Sequence, residues 1–205
     1  MTRVGLFGGS FNPIHHGHRL TALAAAERLD LRPMILIPAG RPPHKSEVAD
    51  GSHRLEMVRL AIAGMPDFEV SNVELTRPGR SYTLHTVQAM RDRFPGSELF
   101  WLIGADTLAD LTSWYRLEEL ADLCTFATVG RPGFDVPAAL AKLRTRLTGP
   151  QVDRIAAHVL EGVPLVELSA SDIRARVAAG RPVGWHVPAA VAAYIAEKGL
   201  YLPGP

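Results

Sequence analysis

Short apolar runs of strand length alternate along this chain with stretches of helical spacing. The runs predicted as strands are Arg3–Phe7, Met34–Pro38, the alternating Glu69–Leu75, Glu98–Ile103, Thr125–Val129 and Pro164–Leu168. The stretches predicted as helices are His16–Leu29, Arg54–Ala63, Tyr82–Arg93, Arg116–Leu123, Val136–Leu147, Ser171–Ala179 and Pro188–Lys198. Asp50 or Ser52 is expected to cap the second helix, and Ser81 the third. Residues 151–160 fit helix or strand equally. This alternation predicts an α/β fold: a doubly wound parallel sheet covered on both faces. From about residue 150 a small C-terminal helical appendage is expected within the same single domain, 1–205. Right-handed crossovers gather the strand C-termini at one edge, where such sheets bind ligands. The loops 8–18, 38–46, 104–107, 130–133 and 169–174 are expected to meet there.

Composition narrows the function classes. Hydrophobic residues make up 47% of 205 residues, enough for a sizeable core, and the net charge is +1. That balance supplies no global field for nucleic acid or a membrane surface. No stretch approaches the ~20 apolar residues of a membrane span, and the N-terminal apolar run is too short for a signal peptide, so the expected compartment is the cytoplasm. Cys124 is the single cysteine, which excludes an internal disulfide and predicts a small buried side chain. A homo-oligomer is compatible with the sequence.

The chemistry concentrates in Gly8–His18, "GGSFNPIHHGH", which carries three of the eight histidines. His15, His16 and His18 are metal-ligand types, but the loop has no carboxylate and no rigid three-ligand frame, so no metal site is assigned. A Walker A loop is excluded by the missing Gly-Lys-Ser/Thr, and a hydride-transfer dinucleotide fingerprint by the glycine spacing. Phosphate remains favoured. Gly8 and Gly9 let backbone approach a ligand, Pro13 stiffens the turn, and a helix start with free N–H groups follows. His15 and His18 can each donate a hydrogen bond to an anion and can carry charge near it. The plain alternative is a tight turn with solvated imidazoles.

The same residues carry a resemblance. Gly9, Phe11, Pro13, His15, Gly17 and His18 match the Gly-x-Phe-x-Pro-x-His-x-Gly-His run of the nucleotidylyltransferase superfamily. "LSASDIR", Leu168–Arg174, is similar to its second signature, Ile-Ser-Ser-Thr-x-Ile-Arg, with Leu168, Ala170 and Ser171 as departures. From the residues alone, Ser171 can cap a helix beginning at Asp172, and Arg174 can reach a phosphate at that helix start. Pro42–Lys45, Arg80–Val87, the segment "LIGADTLADLTSWYR", Val129–Gly133 and the C-terminal "VPAAVAAYIAEKGLY" resemble the bacterial nicotinate-nucleotide adenylyltransferase family.

That resemblance implies a Rossmann-like fold and transfer of the AMP moiety of ATP to nicotinate mononucleotide, giving deamido-NAD and pyrophosphate in NAD biosynthesis. It implies His15, His18 and Arg174 as catalytic groups. Gly8, Gly9, Ser10, Phe11, Asp106 and Ser171 join them around ATP, with Asp106 toward the ribose. Lys45, Tyr82, Thr83, Trp114, Tyr115 and Arg131 fall on the acceptor side; Trp114 is the residue type to stack on the nicotinate ring. Mg²⁺ would enter with ATP, held by phosphates and water. The alternatives are another adenylyl- or cytidylyltransferase, such as one with a phosphopantetheine acceptor, and a non-catalytic nucleotide-binding module.

Overall fold

The computed structural model describes residues 1–40, 48–131, 133–164 and 166–203. Among them six strands form one parallel sheet: β1 (Arg3–Gly9), β2 (Met34–Pro38), β3 (Phe68–Val70), β4 (Glu98–Gly104), β5 (Thr125–Val129) and β6 (Val159–Leu160). Their order is β3-β2-β1-β4-β5-β6. The chain winds outward from β1 in one direction, then crosses back to β4 and winds in the other. The strand order therefore reverses between β1 and β4, the place where doubly wound sheets open a crevice. Register is set from the first residue of β1: Arg3 pairs with Glu98 across the ladder, and Arg3 Nε meets Glu98 Oε2 at 3.1 Å.

Buried side chains alternate between two layers, as the period of two demands. Met34 and Leu36, with Phe100 and Leu102, face one core; Ile35, Ile37, Leu99, Trp101 and Ile103 face the other. The first layer is closed by α1 (His16–Leu29), α2 (Gly51–Ile62), α8 (Ala170–Ala178) and α9 (Ala189–Glu197). The second is closed by α3 (Thr83–Arg93), α4 (Ala105–Asp110), α5 (Leu117–Leu123), α6 (Val136–Leu143) and α7 (Gly149–Ala156). On α1 the buried residues are Gly17, Ala22, Ala25 and Ala26, small enough to lay the helix close on the sheet. Cys124 is buried at the end of α5, and burial pushes its thiol up to about 12.

Several expectations are corrected. The alternating run 69–75 pairs only to Val70; Leu75 and Thr76 N–H then turn back onto the Asn72 carbonyl. In the Pro164–Leu168 run the described residues, 164 and 166–168, are not in a strand. The last strand among the described residues is β6, within the stretch that fitted two states, and it pairs with β5 after α7 has ended. α6 stops at Leu143, short of Leu147. Asp50 caps α2 through Ser52 N–H, but Tyr82, not Ser81, is the cap position of α3, and no side chain bonds there. No helix among the described residues is long and apolar enough to cross a membrane.

Candidate active site

The C-terminal ends of β1, β4 and β5 floor a cleft of about 270 Å³ at the switch point. Phe7, Gly8 and Gly9 reach it from β1, Gly104 from β4 and Val129 from β5. His15 and His18 stand over it from the start of α1, with Asp106 from the first turn of α4 and Arg131 from the loop after β5. Val166 and Leu168 complete it.

The two imidazoles are locked to each other and to the helix start. His15 is the N-cap of α1: its Nδ1 accepts the His18 N–H at 3.4 Å, while His18 Nδ1 accepts the His15 N–H at 3.3 Å. This is a capping box built from two histidines rather than a hydroxyl and a carboxylate. Each Nδ1 serves as an acceptor, so a neutral ring carries its proton on Nε2. The rings stack with centroids 3.7 Å apart, and Phe11 and Phe7 set their edges against His18 at 5.2 and 6.1 Å. Burial, then the charge of His16, lowers the His15 pKa to about 4. His15 is therefore a neutral hydrogen-bond donor at physiological pH, not a cation.

The free helix N-terminus expected here is partly spent. His16 N–H donates to the His186 carbonyl at 3.0 Å, and His18 N–H to His15. The glycines also answer to packing. A Cβ on Gly8 would fall 2.6 Å from the Trp101 ring, and one on Gly17 3.1 Å from both His15 Nδ1 and the Val166 carbonyl. Gly17 thus lets the segment before the second signature lie against the histidine pair.

The second signature is capped by Ser169, not Ser171: Ser169 Oγ accepts from Ser171 and Asp172 N–H at 3.2 and 3.4 Å. The helix begins two residues earlier than the sequence suggested, and Ser171 is freed to accept from Arg174 at 3.3 Å. Arg174 Nη1 donates to the Asn12 carbonyl at 2.9 Å, so its guanidinium reaches the histidine loop. Ser171 and Arg174 line a second hollow with Ala49 and Tyr201 rather than the cleft itself. Asp106 lies in the first turn of α4, 3.9 Å from Arg131 Nε, so a residue expected on the ATP side and one expected on the acceptor side share one wall.

The acceptor-side aromatics form their own group. Tyr82 and Tyr115 have ring centroids 4.4 Å apart with 31° between planes, and His85 sets its edge on both. Thr83 opens α3 beside them. Trp114 packs edge-on against Phe126, half in the core. Ser10 presents its carbonyl to Arg54, away from the cleft lining. Lys45 lies outside the described residues. Among the described residues no group of three or more His, Cys, Asp or Glu side chains could hold a metal ion.

Three supporting residues escaped sequence reasoning. Arg54 is 2% exposed and donates to the carbonyls of Ser10 and Ala49, both at 2.9 Å. Glu74 is 7% exposed; it accepts from Gly40 N–H and from Thr86 Oγ1, tying the exit of β2 to α3. Asn12 gathers contacts from three distant segments. A charged residue inside an apolar helical face was the available signal for Arg54.

Comparison with known proteins gives this geometry a family. Residues 6–176 match the cytidylyltransferase-like family. A Thermomicrobium roseum protein named "Probable nicotinate-nucleotide adenylyltransferase" is 41% identical over 98% of this chain and 92% of its own length. One of the same name from Thermus thermophilus is 44% identical over 97% of this chain and 99% of its own. The chain belongs to the nicotinate-nucleotide adenylyltransferase family. The fold of this family member is shared by a Plasmodium falciparum nicotinic acid mononucleotide adenylyltransferase solved with NaAD. The two superpose with a TM-score of 0.78 at 16% identity, covering 98% of both chains.

Proposed function

We propose that this chain transfers the AMP moiety of ATP to nicotinate mononucleotide, releasing pyrophosphate and forming deamido-NAD. The observation that carries the reading is the stacked His15–His18 pair, with both imidazoles lining the switch-point cleft. The family's named activity supplies the substrates. A phosphate oxygen of the mononucleotide attacks the α-phosphorus. The bond from that phosphorus to the bridging oxygen breaks, and pyrophosphate leaves with the electron pair. The nucleophile is already anionic, so alignment and stabilisation of developing charge account for the rate. His15 and His18 donate to the transferring and leaving phosphates; Arg174 and Ser171 serve the triphosphate tail. Asp106 accepts from the ribose hydroxyls, and Arg131 beside it meets phosphate. The Tyr82–Tyr115 pair, Thr83 and Trp114 take the flat acceptor ring and its carboxylate. Mg²⁺ enters as part of the nucleotide substrate. The imidazole and guanidinium donors suit phosphate oxygens rather than a resident cation. The proposed site of action is the cytoplasm.

The test is pyrophosphate release from ATP and Mg²⁺ with a panel of acceptors. Nicotinate mononucleotide should turn over with the highest kcat/KM, above nicotinamide mononucleotide, and phosphopantetheine should give none. Preference for the amide refutes the nicotinate assignment. Turnover with phosphopantetheine alone moves the chain to another branch, and ATP binding without turnover makes it a binding module.

A further inference from the structure

The loop that leads into the histidine pair is shaped from outside. Phe11 has φ +44, a left-handed backbone that a bulky residue adopts only when its surroundings compel it. Arg54 Nη1 holds the Ser10 carbonyl at 2.9 Å, and Arg174 Nη1 holds the Asn12 carbonyl at 2.9 Å. The Asn12 side chain is 1% exposed; its Oδ1 accepts from Ala49 N–H at 3.1 Å and from Tyr201 Oη at 2.9 Å. Tyr201 itself has φ +66 and follows Gly199 at φ +59, so the chain after α9 bends through two left-handed residues to deliver this phenol. Burial pushes the phenol pKa up, which keeps it a donor. Asn12 stands three residues before His15.

We propose that Tyr201 is a positioning residue for adenylyl transfer: through Asn12 it holds the backbone that carries His15 and His18 over the cleft. This rests on the adenylyl-transfer reading above. Nothing in the mechanism requires Tyr201 to touch substrate. Its influence comes through placement, where a displacement near 1 Å at reacting groups costs about 100-fold.

Tyr201→Phe removes one oxygen and keeps the ring. Tyr194→Phe is the matched control, since it removes a phenol that bonds His53 at 2.9 Å between α9 and α2 rather than a residue of the loop. Tyr201→Phe should lower kcat about 10-fold, with both KM values within about twofold of wild type. It should also raise amide hydrogen exchange in peptides covering 8–18. Both variants should shift Tm by a similar few degrees, while Tyr194→Phe leaves kcat and that exchange unchanged. Unchanged exchange in Tyr201→Phe overturns the proposal, as does faster exchange with unaltered kcat, or an equal loss of kcat in Tyr194→Phe. A wild type that releases no pyrophosphate with nicotinate mononucleotide sinks the adenylyl-transfer reading instead, and the exchange measurement still decides whether Tyr201 holds the loop.

Discussion

His15 is used at both ends of its ring: Nδ1 caps α1, and Nε2 is left for the ligand. The two uses separate by substitution. Asparagine is among the best N-cap residues, and its carbonyl oxygen can replace Nδ1 without reaching as far as Nε2. His15→Asn should hold Tm within about 2 °C and lower kcat by about 100-fold, the scale of one preorganised donor. His15→Ala should show the same kinetic loss plus about 1 kcal/mol of lost cap, read as a further 2–4 °C in Tm. Thermal melts beside steady-state assays check both. At this scale the histidines were legible because imidazoles at a strand-to-helix turn advertise their chemistry. Asn12, Arg54 and Tyr201 were not. Their effect depends on partners such as Ser10, 44 residues from Arg54, and Asn12, 189 residues from Tyr201, and no local pattern encodes that proximity.

The packing between strands carries its own test. Gly8, still paired with β2 near the end of β1, lies against Trp101, which is 4% exposed on the neighbouring β4, and a Cβ on Gly8 would press into that ring. Gly8→Ala should destabilise by about 1–3 kcal/mol, the cost of overpacking a closed core, and shift the tryptophan environment in near-ultraviolet circular dichroism. An unchanged melt and spectrum would show that the ring can yield. Elements with uniform signals were read to the residue from sequence: α1, β2 and β5 start and stop as expected. Those bounded by tertiary demand were not. β3 ends after three residues because the following turn carries Glu74 back to Gly40 and Thr86. β6 has two residues, too few for any periodicity, so the neighbouring apolar run at 164–168 was mistaken for it.

For the molecule as a whole, pH reports on the buried imidazole. The folded pKa of His15 is about 4 against an ordinary 6.5, and His16 is also lowered by burial. Below 6.5 the unfolded chain binds protons that the native state refuses, so stability falls as pH drops from about 6.5 toward 4. Asp50 and Glu118 have lowered carboxyl values, and their loss belongs to lower pH, near and below the ordinary carboxylate range. Urea midpoints between pH 7 and 4 should therefore decline in wild type and decline less in His15→Asn; parallel curves would remove His15 as the cause. The parallel class of the sheet, and the edge at which the cleft opens, were legible from strand–helix alternation. The β1–β4 adjacency was not, because it joins residues 3–6 to 98–101 across the whole first half of the fold.

One hydrogen bond has a consequence in time. Asn12 is synthesised well before Tyr201, and its contact from that phenol must wait for 189 more residues. At 5–20 residues per second that is about 10–40 s. The nascent chain can lay down β1 and α1 long before Tyr201 can reach Asn12, so this brace on the histidine loop is added only after α9 has been made.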